Sequence, residues 1–144
     1  MIAREPIFAA LFALVTSIPG VRKCARRAVH WDDVSPADCP AVFLVQKGQD
    51  ARTQTRTPTV WTLDCELIVY VKTDGNHSKD ASPGLNAILD AIDLALEPKD
   101  FGVDYRQTLG GLVHDCKIEG RIETDEGLLG ETAVAIIPVK LTVA

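Results

Sequence analysis

The last third of the chain alternates in a way that few folds can use. From residue 112 to 123, Leu112, His114, Cys116, Ile118 and Ile122 fall on one side, and Val113, Asp115, Lys117, Glu119, Arg121 and Glu123 on the other. Period two is the pattern of a strand with one face buried, so His114 is expected in the core beside Cys116. Residues 125–130 supply a tight turn. The following run from 133 to 143 is apolar on both faces as far as Pro138. A long C-terminal hairpin is predicted, entered through the flexible pair Gly110-Gly111. Pro138 has no N–H to give a ladder, so an edge or a bulge is expected there.

The rest of the chain supplies partners for that hairpin. Trp61, Leu63, Cys65, Leu67, Val69 and Val71 alternate with Thr62, Asp64, Glu66, Tyr70 and Lys72, the clearest strand in the sequence. Residues 41–46 form a short apolar strand, continuous enough to be central in a sheet. Residues 26–31 have strand-like character. Between the two clear strands, residues 47–59 hold no aromatic side chain and no aliphatic one larger than alanine, and read as a long polar loop. A turn at Asp74-Gly75-Asn76 precedes a helix with Ser82 as N-cap, Pro83 first, and Leu85, Ile88, Leu89, Ile92 and Leu96 on one stripe. Near the start, Ile7, Phe8, Leu11, Phe12, Val15 and Ile18 recur at helical spacing. Arg4 before an apolar run imitates a secretion signal, but Glu5 and Pro6 interrupt it and the run is too short to span a membrane. The expected fold is α+β: a largely antiparallel or mixed sheet with two main helices packed on one face plus a long β-hairpin, in one domain over residues 1–144.

Little in the chain is arranged for chemistry. Cys24, Cys39, Cys65 and Cys116 are scattered without a Cys-x-x-Cys pair, and Cys65 and Cys116 read as small buried hydrophobes. His114, Asp115 and Cys116 cannot converge on a metal, because alternation sends Asp115 to the opposite face. Gly110-Gly111 lacks the Lys-Ser/Thr of a phosphate loop. Asp90 and Asp93 read as solvated helix charges, and His30 and His77 as edge and loop residues. No catalytic residue, cofactor or metal is expected.

The charge is unevenly placed. Residues 1–60 carry eight basic and five acidic side chains, a net of +3; residues 61–144 carry seven and fifteen, a net of −8. An overall −5 argues against nonspecific DNA binding. Chance and a solvated acidic surface account for such a split; the sharper reading is two faces of opposite sign that meet head to tail between identical subunits.

The chain resembles the tail terminator proteins of long-tailed bacteriophages, the minor tail protein U-like family. The resemblance is carried by residues 5–12, 40–44, Trp61-Thr-Leu63, Val69-Tyr-Val71, 85–92, Thr108-Leu-Gly-Gly111 and Ala135-Ile-Ile-Pro-Val139, in order over nearly the whole chain. It implies a homohexameric ring that caps the tail tube protein, ends its polymerisation and offers its other face to head–tail connector proteins. DNA enters only as a passenger through the ring lumen, and no membrane is involved. The implied location is the neck end of the virion tail, and the host cytoplasm during assembly. Candidate interface residues are Arg26, Arg27 and Trp31, then Lys47, Gln49, Arg52 and Arg56. Tyr105, Arg106, Thr108 and Leu109 complete the set. The alternatives are another neck component, such as a head-completion or head–tail joining protein, and a small ligand-binding or enzymatic α+β domain.

Overall fold

The computed structural model describes residues 1–72, 81–98, 105–126 and 131–144. Helix α1 (Arg4–Thr16) is followed by a short strand β1 (Lys23–Ala25), two single 3-10 turns (Trp31–Asp33 and Pro36–Asp38), and the long strands β2 (Ala41–Arg52) and β3 (Val60–Lys72). Helix α2 (Ser82–Leu96) leads to β4 (Asp115–Ile118), β5 (Glu123–Asp125) and β6 (Thr132–Val143). The fold is α+β. Its six strands form one sheet in the order β1-β2-β3-β6-β4, with β5 also paired to β6. The β1–β2 pairing is parallel and every other is antiparallel, so the sheet is mixed.

Both helices lie on one face. Ile7, Phe8, Leu11 and Val15 of α1 and Leu85, Ile88, Ile92 and Leu96 of α2 pack on Leu63, Cys65, Leu67 and Val69 of β3 and on Ala135, Ile137, Val139 and Leu141 of β6. Burying each large aliphatic side chain contributes about 1.5–3 kcal/mol, so this seam dominates stability. The outer face carries a second, smaller core. Phe43 and Tyr70 meet Val34 and Cys39, which the two 3-10 turns deliver. The Tyr70 hydroxyl donates to Val29 O at 2.7 Å, and Lys72 Nζ donates to Val34 O, pinning that segment over the sheet.

Several sequence expectations are corrected. The polar stretch after Gln46 is not all loop: β2 runs on to Arg52, paired with β3 as far as Arg52 opposite Val60. Backbone pairing with a neighbour carries those residues, and no apolar side chains are needed because both faces of that end meet water. The loop itself is residues 53–59. Residues 26–31 are not strand; the parallel partner of β2 is Lys23–Ala25. Ser82 is the first helical residue rather than the cap, and Ala81 precedes it without a side-chain cap. The alternation from 112 to 123 yields two short strands, β4 and β5: residues 108–113 are still in the glycine turn, and a gap at Gly120 separates the two pairings with β6. Alternation begins only at Asp115, which leaves His114 exposed and Val113 buried.

Pro138 shows how β6 keeps two partners. Glu119 N donates to Pro138 O at 3.2 Å and His114 N to Thr142 O at 2.8 Å, so even-numbered backbone groups of β6 face the β4–β5 side. The missing N–H of Pro138 therefore falls on that side, between β4 at residues 139–142 and β5 at residues 134–136, and costs the β3 ladder nothing. Gly120 crosses that gap with φ +119°, and a Cβ there would sit 3.2 Å from Pro138 Cγ. The expected turn around Asp74-Gly75-Asn76, His77 and the tip of the terminal hairpin at residues 127–130 lie outside the described residues.

Candidate assembly surface

The hairpin of β2 and β3 extends past its second strand neighbour. β1 covers only Ala41–Phe43 on the outer edge of β2; among the described residues, no strand pairs with residues 44–52 on that side. Four of the sequence candidates lie on this hairpin. Lys47 sits 3.5 Å from Glu66 on the outer face. Gln49 lies on the helix side, where its Oε1 accepts from Arg4 Nε at 2.6 Å. Arg52 closes the strand and, with Gln54, Thr57, Pro58 and Val60, lines a depression of about 200 Å³. Arg56 takes a left-handed φ of 66° in the turn.

The first turn of α1 ties this hairpin to the basic segment. Arg4 stacks over the Trp61 ring at 4.5 Å while bonding Gln49. Its neighbour Glu5 pairs with Arg26, with a second contact from Arg26 Nη2 to Glu5 Oε2 at 3.3 Å. That hydrogen bond holds the Glu5 carboxyl below its usual range. Arg27 is exposed. Trp31 is 45% exposed and stacks against His30, with ring centroids 3.9 Å apart. His30 is not a sheet-edge residue as expected: its Nδ1 accepts the Asp32 amide at 3.2 Å and lies 3.6 Å from Asp32 Oδ2, on the surface.

The third group of candidates is elsewhere. Cys116 N donates to Gln107 O at 2.9 Å, which fastens residues 105–109 to β4 on the opposite edge of the sheet. Tyr105 is 59% exposed, Arg106 Nη1 lies 2.7 Å from His114 Nδ1, and Thr108 accepts the Gly111 amide at both its carbonyl (3.0 Å) and its hydroxyl (3.2 Å). Leu109 is buried, with φ 51°, and opens the turn through Gly110 and Gly111. The candidates thus occupy two edges and not one patch.

Sequence reading missed the residues that organise these edges. Arg4 read as an imitation of a secretion signal, Glu5 as a break in the apolar run and Trp61 as a strand residue, the last two also as part of the family resemblance, and none of them as a contact that joins elements. Gln107 gave no signal at all: its Nε2 donates to Glu97 O and its Oε1 accepts from Leu109 N, each at 3.2 Å, so it joins the end of α2 to the glycine turn. A groove of about 560 Å³ between the C-terminal ends of α1 and α2, lined by Leu14, Ile18, Ala91 and Leu94, was likewise not indicated.

Chemistry finds few groups to work with. Among the described residues, no three His, Cys, Asp or Glu side chains are grouped to hold a metal ion. Burial pushes the Cys65 and Cys116 thiols up to about 12, which keeps both protonated and weakly nucleophilic near neutrality. Asp90 and Asp93 are exposed on α2. The sequence matches no protein-family model and no curated protein.

Proposed function

We propose that the chain is the terminator of a bacteriophage tail tube: a ring-forming subunit that caps the last ring of the tube, ends its growth and presents its other face to the head connector. The observation that carries this reading is the outer half of the β2–β3 hairpin. Seven consecutive β2 residues, 46–52, are exposed and leave an open strand edge, yet they are held in register by β3 and braced by Arg4. A projection whose outer edge pairs with no strand among the described residues is suited to meet another protein surface. The resemblance to tail terminators supplies the identity of that surface: neighbouring copies and the end of the tube.

A cap must bind copies of itself side to side without growing further, which a heterologous interface achieves when it closes into a ring. The test is electron microscopy of lysates from a phage or prophage lacking this protein. Overlong, headless tubes of variable length are expected. Tails of normal length that fail to join heads would assign the chain to the connector instead, and normal infectious particles would remove it from the virion.

A further inference from the structure

Strand β2 changes which backbone groups it turns outward at Lys47. Arg22 N donates to Pro40 O at 2.9 Å, so before Lys47 the even-numbered groups of β2 face the β1 side and the odd-numbered ones face β3. β3 offers β2 its even-numbered groups along its whole length, and past the extra residue these meet Gly48, Asp50 and Arg52. From there on, the N–H and C=O of Gln49 and Ala51 point away from the sheet. No strand among the described residues takes them up, and β1 stops at Phe43, about 25 Å back along the strand. The opposite edge is closed where this one is open. Cys116 N, which points outward from β4, donates to Gln107 O, and β5 spans only Glu123–Asp125. Head-to-tail continuation of the sheet through β4 is therefore blocked at Cys116, and the edge that matches β2 in length and openness is β2 of a second copy.

Side chains select the register of such a pairing. Asp50 and Arg52 lie on the outer face, opposite Thr62 and Val60, and both are exposed. Neither has a hydrogen bond or an ion pair among the described residues. Two copies laid parallel in register would set Asp50 against Asp50 and Arg52 against Arg52. Antiparallel pairing centred on Asp50 again sets Asp50 against itself, and like charges directly opposite are destabilising. Centring on Gln49 places Asp50 against Gly48 and gains no ion pair. Centring on Ala51 gains two. Each Ala51 then exchanges both backbone hydrogen bonds with the Ala51 of the second copy, and Asp50 of each copy lies opposite Arg52 of the other. Those flanking positions are non-hydrogen-bonded pairs, where Cα atoms approach to about 4.5 Å and side chains meet most closely.

We infer that two copies of this chain join β2 to β2, antiparallel about a twofold axis at Ala51, with Asp50 of each opposite Arg52 of the other. The contact is isologous, so it closes at two copies and is not the contact that closes a larger ring. It is a dimer of the free chain, and it goes beyond the ring-subunit reading above. Only its consequence rests on that reading: the dimer covers the edge that a neighbouring copy or the tube end meets, and so holds the hairpin out of use until assembly.

Cross-linking and charge exchange on the purified chain test this. The twofold axis sets residue 51 against its own copy. Under mild oxidation Ala51→Cys should therefore form intermolecular disulfides about tenfold or more faster than Thr57→Cys, at an exposed position in the turn. The unaltered chain, with its own four cysteines, gives the background rate. Asp50→Arg and Arg52→Asp should each weaken dimerisation about tenfold in sedimentation velocity, and the chain carrying both should recover it. Thermal melts report that each variant is folded. Equal linking at positions 51 and 57, or a double exchange that stays as weak as the single ones, would overturn the pairing. Tail length in lysates lacking the protein decides the ring reading separately. A dimer that passes both tests in a chain with no effect on tail length upholds the pairing and removes its role in assembly.

Discussion

One ladder joins β2 to β3, but its two halves live in different surroundings. From Ala41 to Leu44 the β2 residues are buried on both faces, with Val42 and Leu44 under the helices and Ala41 and Phe43 under the 3-10 turns. From Gln46 to Arg52 every residue is exposed. The boundary is a register shift between Gln46 and Gly48, where Lys47 is the extra residue. The difference teaches that a strand can be specified in two ways. The inner half is fixed by what its side chains bury, and the outer half by backbone pairing to a β3 that is itself anchored on β6.

The largest effect expected from breaking this contrast is in the inner half. Phe43→Ala removes the centre of the outer core and should cost about 3–5 kcal/mol, read as a drop in the denaturation midpoint. Next comes the pH dependence of the helix-side seam on the opposite face. Cys65 and Cys116 have thiols raised from an ordinary 9.0 to about 12. The folded state holds protons that the unfolded state releases, so stability should be level below pH 9 and fall as pH rises from there toward 12. Cys65→Val with Cys116→Val should flatten that decline in urea titrations at each pH, and an unchanged slope would refute the assignment.

Gln107→Ala removes one side chain that serves both Glu97 O and Leu109 N, and should cost about 1–3 kcal/mol by urea titration. The smallest effect is expected in the outer half. Arg52→Ala should change stability by no more than about 0.5 kcal/mol. Amide exchange should separate the halves directly, with slow exchange at residues 42–45 and faster exchange at 48–52. Equal protection in both halves would erase the comparison.

Sequence reading recovered what side-chain burial dictates. The alternation of 61–72 became β3, the Leu85–Ile88–Ile92–Leu96 stripe became the buried face of α2, and Cys65 and Cys116 fell in the core. It failed where backbone partners decide. The outer part of β2 has no apolar period to read, because neither of its faces is covered. His114 was misplaced because a period was extended back into a turn whose geometry is set by Leu109, Gly110 and Gly111, all at positive φ. Of the candidate surface, the arginines of the hairpin were legible as a basic polar stretch. The grouping of Arg4 with Gln49 and Trp61, and of Glu5 with Arg26, was not, since it depends on where the start of α1 lands on the sheet.

The extra residue at Lys47 has a consequence beyond the shape of the ladder. Gly48, Asp50 and Arg52 face Asp64, Thr62 and Val60, so deleting Lys47 would leave each of them opposite the same partner and produce a regular hairpin. What would change is the outer rim of β2: an interrupted border would become one continuous run of backbone donors and acceptors, open to any extended chain. Lys47 thus places both an extra residue and a charge on that border. A chain shortened by that one residue should fold with an unchanged melting temperature yet seed sheet-rich aggregates that the full-length chain does not form.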